Sequence, residues 1–224
     1  MLISVHIPKT GGTSFGELLK QDYNTRVMLD HRDWVGLHTP EAVARRKQLK
    51  NETMQRRTDI VRDFDCIHGH FIADKYLELG CDLSFVAFFR DPYQRELSNY
   101  YFLMRNPQVD HPVIKIFHAE KMTFTAYLEF IGNIQTELIG TVALDDMAVI
   151  GISEEFNRSV ELFDVSFGRN LKPNVTLNAN PARAGAQYPV DGEALAAVKR
   201  FRAQDIALYE RARELFAQQC SRRL

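Results

Sequence analysis

Cysteine is scarce in this sequence. Cys66, Cys81 and Cys220 are the three in 224 residues; they form no CxxC pair and no zinc-ligand spacing. That argues against a disulfide framework and agrees with a reducing compartment. An excess of charge is also missing: the formal net charge is -1. The chain therefore has no global bias toward nucleic acid or membrane, and any anion site must be local. No apolar run approaches the ~20 residues that span a bilayer. The chain enters a strand-like run at once (Leu2-Ile3-Ser4-Val5), without a basic n-region or a long apolar h-region, so no signal peptide is expected. The expected location is cytoplasmic. Internal repeats and low-complexity tracts are absent.

What remains is an ordinary globular composition, 45% hydrophobic and 25% charged, on a chain long enough to bury a core without staples. One α/β domain over residues 1–224 is expected. Strands are predicted at 2–7, 26–29, 65–68, 83–89 and 148–152. The run Leu83–Phe89 is apolar throughout, as a central strand buried on both faces requires. Helices are predicted at 13–20, from Pro40 to about Arg57 with Thr39 as N-cap, from Asp91-Pro92 to about Met104, and at 113–118, 124–131 and 134–138. A further helix should be capped by Ser153, with Glu154 and Glu155 in its first turn. Residues 168–189 carry three prolines and read as a loop or lid, and 192–218 as one C-terminal helix. Strands alternating with helices predict a mainly parallel central sheet flanked by helices.

The segment His6-Ile-Pro-Lys-Thr-Gly-Gly-Thr-Ser14 lies between the first strand and the first helix. Gly11 and Gly12 allow a tight turn and close backbone approach. Amides at the helix start, with the helix dipole, favour an anion. Thr13 and Ser14 add hydroxyls, and Lys9 a mobile cation. In the nucleotide-hydrolase loop GxxxxGK[ST] the lysine follows the glycines; here it precedes them. A plain Gly-Gly turn is the alternative.

This string resembles the 5′-phosphosulfate loop of sulfotransferases that use 3′-phosphoadenosine 5′-phosphosulfate (PAPS), and is closest to the branch of heparan sulfate 2-O-sulfotransferases and related carbohydrate enzymes. The resemblance implies a P-loop-kinase-like sulfotransferase fold. It gives Lys9 the stabilisation of the departing phosphate, and assigns Thr10, Gly11, Gly12, Thr13 and Ser14 to the 5′-phosphate. Adenosine 3′,5′-bisphosphate would be the product, and the scheme requires no metal.

A second motif runs from Arg90 to Tyr101. Arg90 follows the apolar strand, at the sheet edge where open α/β folds bind ligands. Helical spacing puts Asp91, Arg95, Ser98 and Phe102 on one face. Taken alone, the segment also fits a structural Arg–Asp pair. Beside the first motif it resembles the family's 3′-phosphate pattern RDPxxRxxSxYY, which assigns Arg90 and Ser98 to that phosphate and leaves Arg95 to pair with an acidic neighbour.

His68-Gly69-His70 ends another strand. A histidine titrates near neutrality and suits removal of a hydroxyl proton, although a lone histidine is as often structural. In the related carbohydrate enzymes an HGH segment supplies the base, which the resemblance carries to His70 first and to His68 second. His6 reads as structural support. Asn133-Ile-Gln-Thr136 resembles a family segment near the active site, though helix capping explains Asn133 equally well. Arg183, in the polar stretch, is a further phosphate contact implied by position.

The basic stretch Arg45, Arg46, Lys47, Lys50, Arg56 and Arg57 reads either as a solvated helix face or as a landing surface for an anionic acceptor. The expected partner is a hydroxyl-bearing acceptor, a carbohydrate or a small molecule. Two rival readings stay open: a non-catalytic PAPS- or glycan-binding protein, and a magnesium-dependent nucleotide kinase.

Overall fold

Leu2, Ile3, Ser4 and Val5 form strand β1 (Leu2–Val5), and all four are buried, as a strand covered on both faces must be. In the computed structural model, which describes residues 1–171 and 187–224, β1 is the centre of a five-stranded sheet. The other strands are β2 (Val27–Asp30), β3 (Cys66–Gly69), β4 (Ser84–Phe89) and β5 (Val149–Ile152). All neighbours are parallel and the order is β2-β3-β1-β4-β5. The chain thus runs outward from β1 to β2, returns through β3, and crosses to β4 and β5 on the other side. Such a reversal of strand order opens a crevice at the carboxyl ends of the central strands.

Register sharpens this. Val5 pairs with Gly69 on one side and Ala87 on the other, so the loops leaving β1 and β3 depart at one level. Adjacent strands lie about 4.8 Å apart, so the three strands that carry the sequence motifs are direct neighbours at one edge.

The helices are α1 (Gly12–Tyr23), α2 (Pro40–Gln55), α3 (Arg57–Asp63), α4 (Pro92–Arg105), α5 (Pro112–Ala119), α6 (Phe124–Ile131), α7 (Ile134–Ile139), α8 (Phe156–Phe167), α9 (Gly192–Phe201) and α10 (Ala203–Arg223). Their caps are mostly the residues the sequence singles out. Thr39 accepts from the amide of Ala42 at 3.3 Å, and Asp91 from that of Gln94 at 2.9 Å, each with proline at the first helical position. One core joins Leu2 in β1 to Cys220 in α10. Among the described residues no helix is long and apolar enough to cross a membrane.

Three boundaries differ from expectation. The helix begun by Thr39 stops at Arg56, and a separate short helix, α3, follows. Ser153 does not cap α8: residues 153–155 form a single 3-10 turn, and α8 starts at Phe156 without a side-chain cap. The C-terminal helix is two helices, because Arg202 leaves helical geometry (φ −124°, ψ 29°) and turns a buried guanidinium inward. The stretch 168–189, read as a loop or lid, falls mostly outside the described residues.

Candidate functional site

The turn after β1 has a built-in conformational demand. Lys9 (φ 71°) and Gly11 (φ 88°) both adopt the left-handed region, which glycine tolerates and lysine enters only under constraint. The constraint comes from the loop's own hydrogen bonds. The Thr10 hydroxyl donates to the Ile7 carbonyl at 2.8 Å, and the Ser153 hydroxyl donates to the Thr10 carbonyl. Arg90 donates from Nη1 to the Lys9 carbonyl at 3.0 Å. Thr10 is fully buried, so its side chain shapes the loop from inside. Gly12 is needed for close packing: a Cβ there would meet His6 Cδ2 at 2.0 Å. Gly11, the N-cap of α1, has no side chain to satisfy the first amides of the helix, which leaves the electropositive helix start facing the crevice.

Lys9 stands over the Phe102 ring, 4.4 Å from its centre. Phe102 lies one helical turn beyond Ser98, so the face of α4 that carries Ser98 is turned toward the loop. Burial lowers the Lys9 pKa to about 8, and the nearby charges of Arg90 and Arg105 push in the same direction. A half-buried ammonium repelled by two guanidinium groups is stabilised by an approaching anion.

Arg90 is gripped by its backbone. Its amide donates to Gln135 Oε1 at 3.0 Å, and its carbonyl accepts from Gln135 Nε2 at 2.9 Å. Asp91 donates its amide to Glu154 at 3.1 Å, and Glu154 also accepts from the Tyr209 hydroxyl at 3.2 Å. Gln135 is fully buried. In the Asn133–Thr136 segment it is therefore Gln135 that holds the second motif in place. Asn133 makes no cap bond to α7; its Oδ1 accepts from the Asp205 amide at 3.2 Å. Arg95 pairs with Glu96. Glu96 also accepts from Arg202 at 2.5 Å and from the Tyr127 hydroxyl at 2.5 Å, and all four groups are buried.

On the other side of β1 the histidines gather. His70 donates from Nδ1 to the His6 carbonyl at 2.6 Å. A carbonyl can only accept, so the proton resides on Nδ1 and the lone pair on Nε2. His68 is buried, with Nδ1 at 2.9 Å from the Ser4 hydroxyl and a further hydrogen bond to the Gly12 backbone. Burial holds both imidazoles neutral, His68 at about 3 and His70 at about 4, with neighbouring histidine charges adding to the shift. The HGH segment therefore separates into a fully packed histidine under α1 and a less deeply buried one, His70. His6 packs its ring 4.0 Å from that of His70 and 5.0 Å from that of His68.

The turn after β2 was not legible in the sequence as part of this edge. Asp30 accepts from Lys75 at 2.6 Å and from the Tyr76 hydroxyl at 2.6 Å, while Lys75 also reaches Asp33 at 2.6 Å. These bonds hold Asp30 at about 2, against the opposing effect of its burial, and they fix the start of the loop on which His31 stands. Part of the basic stretch serves that same loop. Arg46 donates to the carbonyls of Trp34 and Leu37 at 3.0 and 2.8 Å, and Arg45 to that of Arg32 at 2.8 Å. Lys47, Arg56 and Arg57 remain exposed. Arg183 lies outside the described residues.

Lys9, Gly11–Ser14, Arg90 and His70 thus stand at the carboxyl ends of three neighbouring strands, with Ser98 on the α4 face turned toward them. Phe102 and Gln135 join them from segments the sequence singles out, and Arg105 and Glu154 without such a signal.

No protein-family model and no curated protein matches this chain. Among solved structures, the fold is similar to that of a sulfotransferase from Alicyclobacillus acidocaldarius, with a TM-score of 0.53 at 14% identity, covering 96% of this chain and 95% of that one. Mouse sulfotransferase SULT7A1, complexed with PAP, gives a TM-score of 0.44 at 13% identity over 89% of this chain, which spans 62% of the mouse chain. The five-stranded parallel sheet flanked by helices is thus a fold similar to that of the Alicyclobacillus sulfotransferase.

Proposed function

We propose that residues 1–224 act as a single catalytic unit that transfers a sulfuryl group from PAPS to an acceptor hydroxyl. The observation that carries this reading is the pairing of a cationic loop with a tautomer-locked imidazole on adjacent strand ends. The left-handed Lys9 turn is tied to Arg90 through one carbonyl, and His70 presents an Nε2 lone pair beside it.

The roles follow from chemistry. Lys9 and the amides at the start of α1 hold the 5′-phosphate. Arg90, with Ser98, holds the 3′-phosphate, since a guanidinium can grip two phosphate oxygens at once. The acceptor oxygen attacks sulfur while its proton passes to His70 Nε2. The bond from sulfur to the phosphate oxygen breaks, and its electron pair stays with the phosphate. Lys9 stabilises that oxygen as charge develops. The sulfate ester and adenosine 3′,5′-bisphosphate leave, and the His70 imidazolium returns its proton to solvent. His68 is the weaker choice of base because both its hydrogen bonds are spent on packing.

A carbohydrate hydroxyl is the leading acceptor, on the resemblance to the heparan sulfate branch, and the exposed Lys47, Arg56 and Arg57 suit an anionic one. A cytoplasmic setting fits the free thiols of Cys66, Cys81 and Cys220. The test is an acceptor panel with labelled PAPS. Transfer that disappears in His70→Asn while adenosine 3′,5′-bisphosphate still binds supports the scheme. Binding without transfer to any acceptor leaves a nucleotide-binding protein, and tight magnesium–ATP binding with phosphoryl transfer points to a kinase.

A further inference from the structure

His6, His31 and His70 come from three different segments: the loop after β1, the turn after β2 and the end of β3. One ring nitrogen from each lies within 4.8 Å of the others. The ring centres of His6 and His70 are 4.0 Å apart, and those of His31 and His70 are 5.0 Å apart. His6 is 8% exposed, yet its Nδ1 is buried with no hydrogen-bond partner among the described residues. A buried, unpartnered ring nitrogen is rare enough to demand a ligand or an ordered solvent molecule. His70 has the opposite feature: its Nδ1 is tied to a backbone carbonyl, the arrangement that orients a histidine for ligation through its other nitrogen.

We propose that His6, His31 and His70 form a binding site for a divalent ion of the zinc class, and that a bound ion occupies the His70 nitrogen on which sulfuryl transfer would depend. The second half of this inference rests on the function proposed above; the first half does not. Three imidazoles without a carboxylate favour zinc, copper or nickel over calcium or magnesium. Tetrahedral zinc with bonds of about 2.0 Å needs ligand nitrogens about 3.3 Å apart, so the three must draw together. His31 is exposed and can supply the movement by side-chain rotation. Asp30, next to it in the chain, is already engaged by Lys75 and Tyr76, so it does not compete for the ion. The fourth position would face the crevice and take water. Metal binding and proton transfer then exclude one another, because each needs the same lone pair, and the ion acts as an inhibitor.

The experiment uses the full chain, metal-free and without an affinity tag, titrated calorimetrically with zinc chloride and spectroscopically with cobalt(II) chloride. One ion per chain and tetrahedral cobalt absorption bands are expected. Binding should weaken about tenfold or more in His31→Ala and in His70→Asn, and stay unchanged in Cys81→Ser. Binding that survives both histidine substitutions, or that is lost in Cys81→Ser, overturns the site. In the transfer assay zinc should inhibit the native chain, a chelator should restore it, and His31→Ala should be resistant with its basal rate intact. Zinc bound at the histidines without inhibition overturns the exclusive use of His70. A chain that binds zinc through these histidines but transfers to no acceptor keeps the site and defeats the sulfotransferase reading, so the two failures are distinguishable.

Discussion

Two groups of cations behave in opposite ways. Arg95 and Arg202 converge on Glu96 and are fully enclosed with it. Against the effect of burial, Glu96 raises the Arg95 pKa, and the two guanidinium groups hold Glu96 below its ordinary value. Lys9, Arg90 and Arg105 stand at the mouth of the crevice, and there the lysine's pKa falls. The first group shares one carboxylate and ties α4 to the α9–α10 junction. In the second, burial and two neighbouring guanidinium groups act together against the charged lysine. The surroundings of a charge, more than the charge itself, set the direction of its shift here.

The comparison breaks most visibly at Glu96. Glu96→Gln leaves two buried guanidinium groups without their counter-charge, and a loss of about 3–5 kcal/mol is expected, read from denaturant midpoints. Lys9→Ala should leave the midpoint unchanged or slightly higher while lowering transfer by about 10²–10³-fold. Equal destabilisation by both substitutions would erase the distinction between the groups.

Next in size is His70→Asn. It should cost about 10²-fold or more in kcat with little change in nucleotide affinity, whereas His68→Asn should act on thermal stability first. Arg90→Ala should weaken adenosine 3′,5′-bisphosphate binding by about 2 kcal/mol or more, in line with loss of a charge-assisted contact, measured by calorimetry.

A subtler test uses pH. The free lysine titrates at about 8, below its ordinary 10.5, and a bound bisphosphate favours the charged form. Affinity should therefore be flat below about pH 8 and decline above it, with proton uptake on binding. In Lys9→Arg the decline should vanish, since a guanidinium stays charged. For the free protein the sign reverses. Between about 8 and 10.5 the unfolded chain binds more protons at this site, so the Lys9 contribution to stability improves as pH rises. The smallest effect is expected for Gln135→Ala. It removes two hydrogen bonds to the Arg90 backbone, and nucleotide affinity should fall by a few-fold, about 1 kcal/mol.

Much of the frame was legible because it is locally encoded. All five strands fall where apolar runs placed them, and Thr39 and Asp91 cap the helices they were expected to cap. Where reading failed, a distant partner overrode a local signal. Ser153 looks like an N-cap, yet its hydroxyl is drawn to the Thr10 carbonyl across the sheet edge. Residues 192–218 look like one helix, yet Arg202 interrupts it because Glu96 draws the guanidinium inward. Asn133 looks like a cap and instead holds the Asp205 amide.

The sequence by itself determined the strand–turn–helix units, the glycines of the turn after β1 and the order of lysine before glycine, since each depends on residues a few positions apart. Only the tertiary structure decided which charges are compensated, which histidine keeps a lone pair, and that His31 stands beside His6 and His70. The histidine cluster arises where β1, β2 and β3 end together, and the Glu96–Arg202 pair joins residues 106 positions apart. Strand order and register, which no local pattern states, bring such distant segments together.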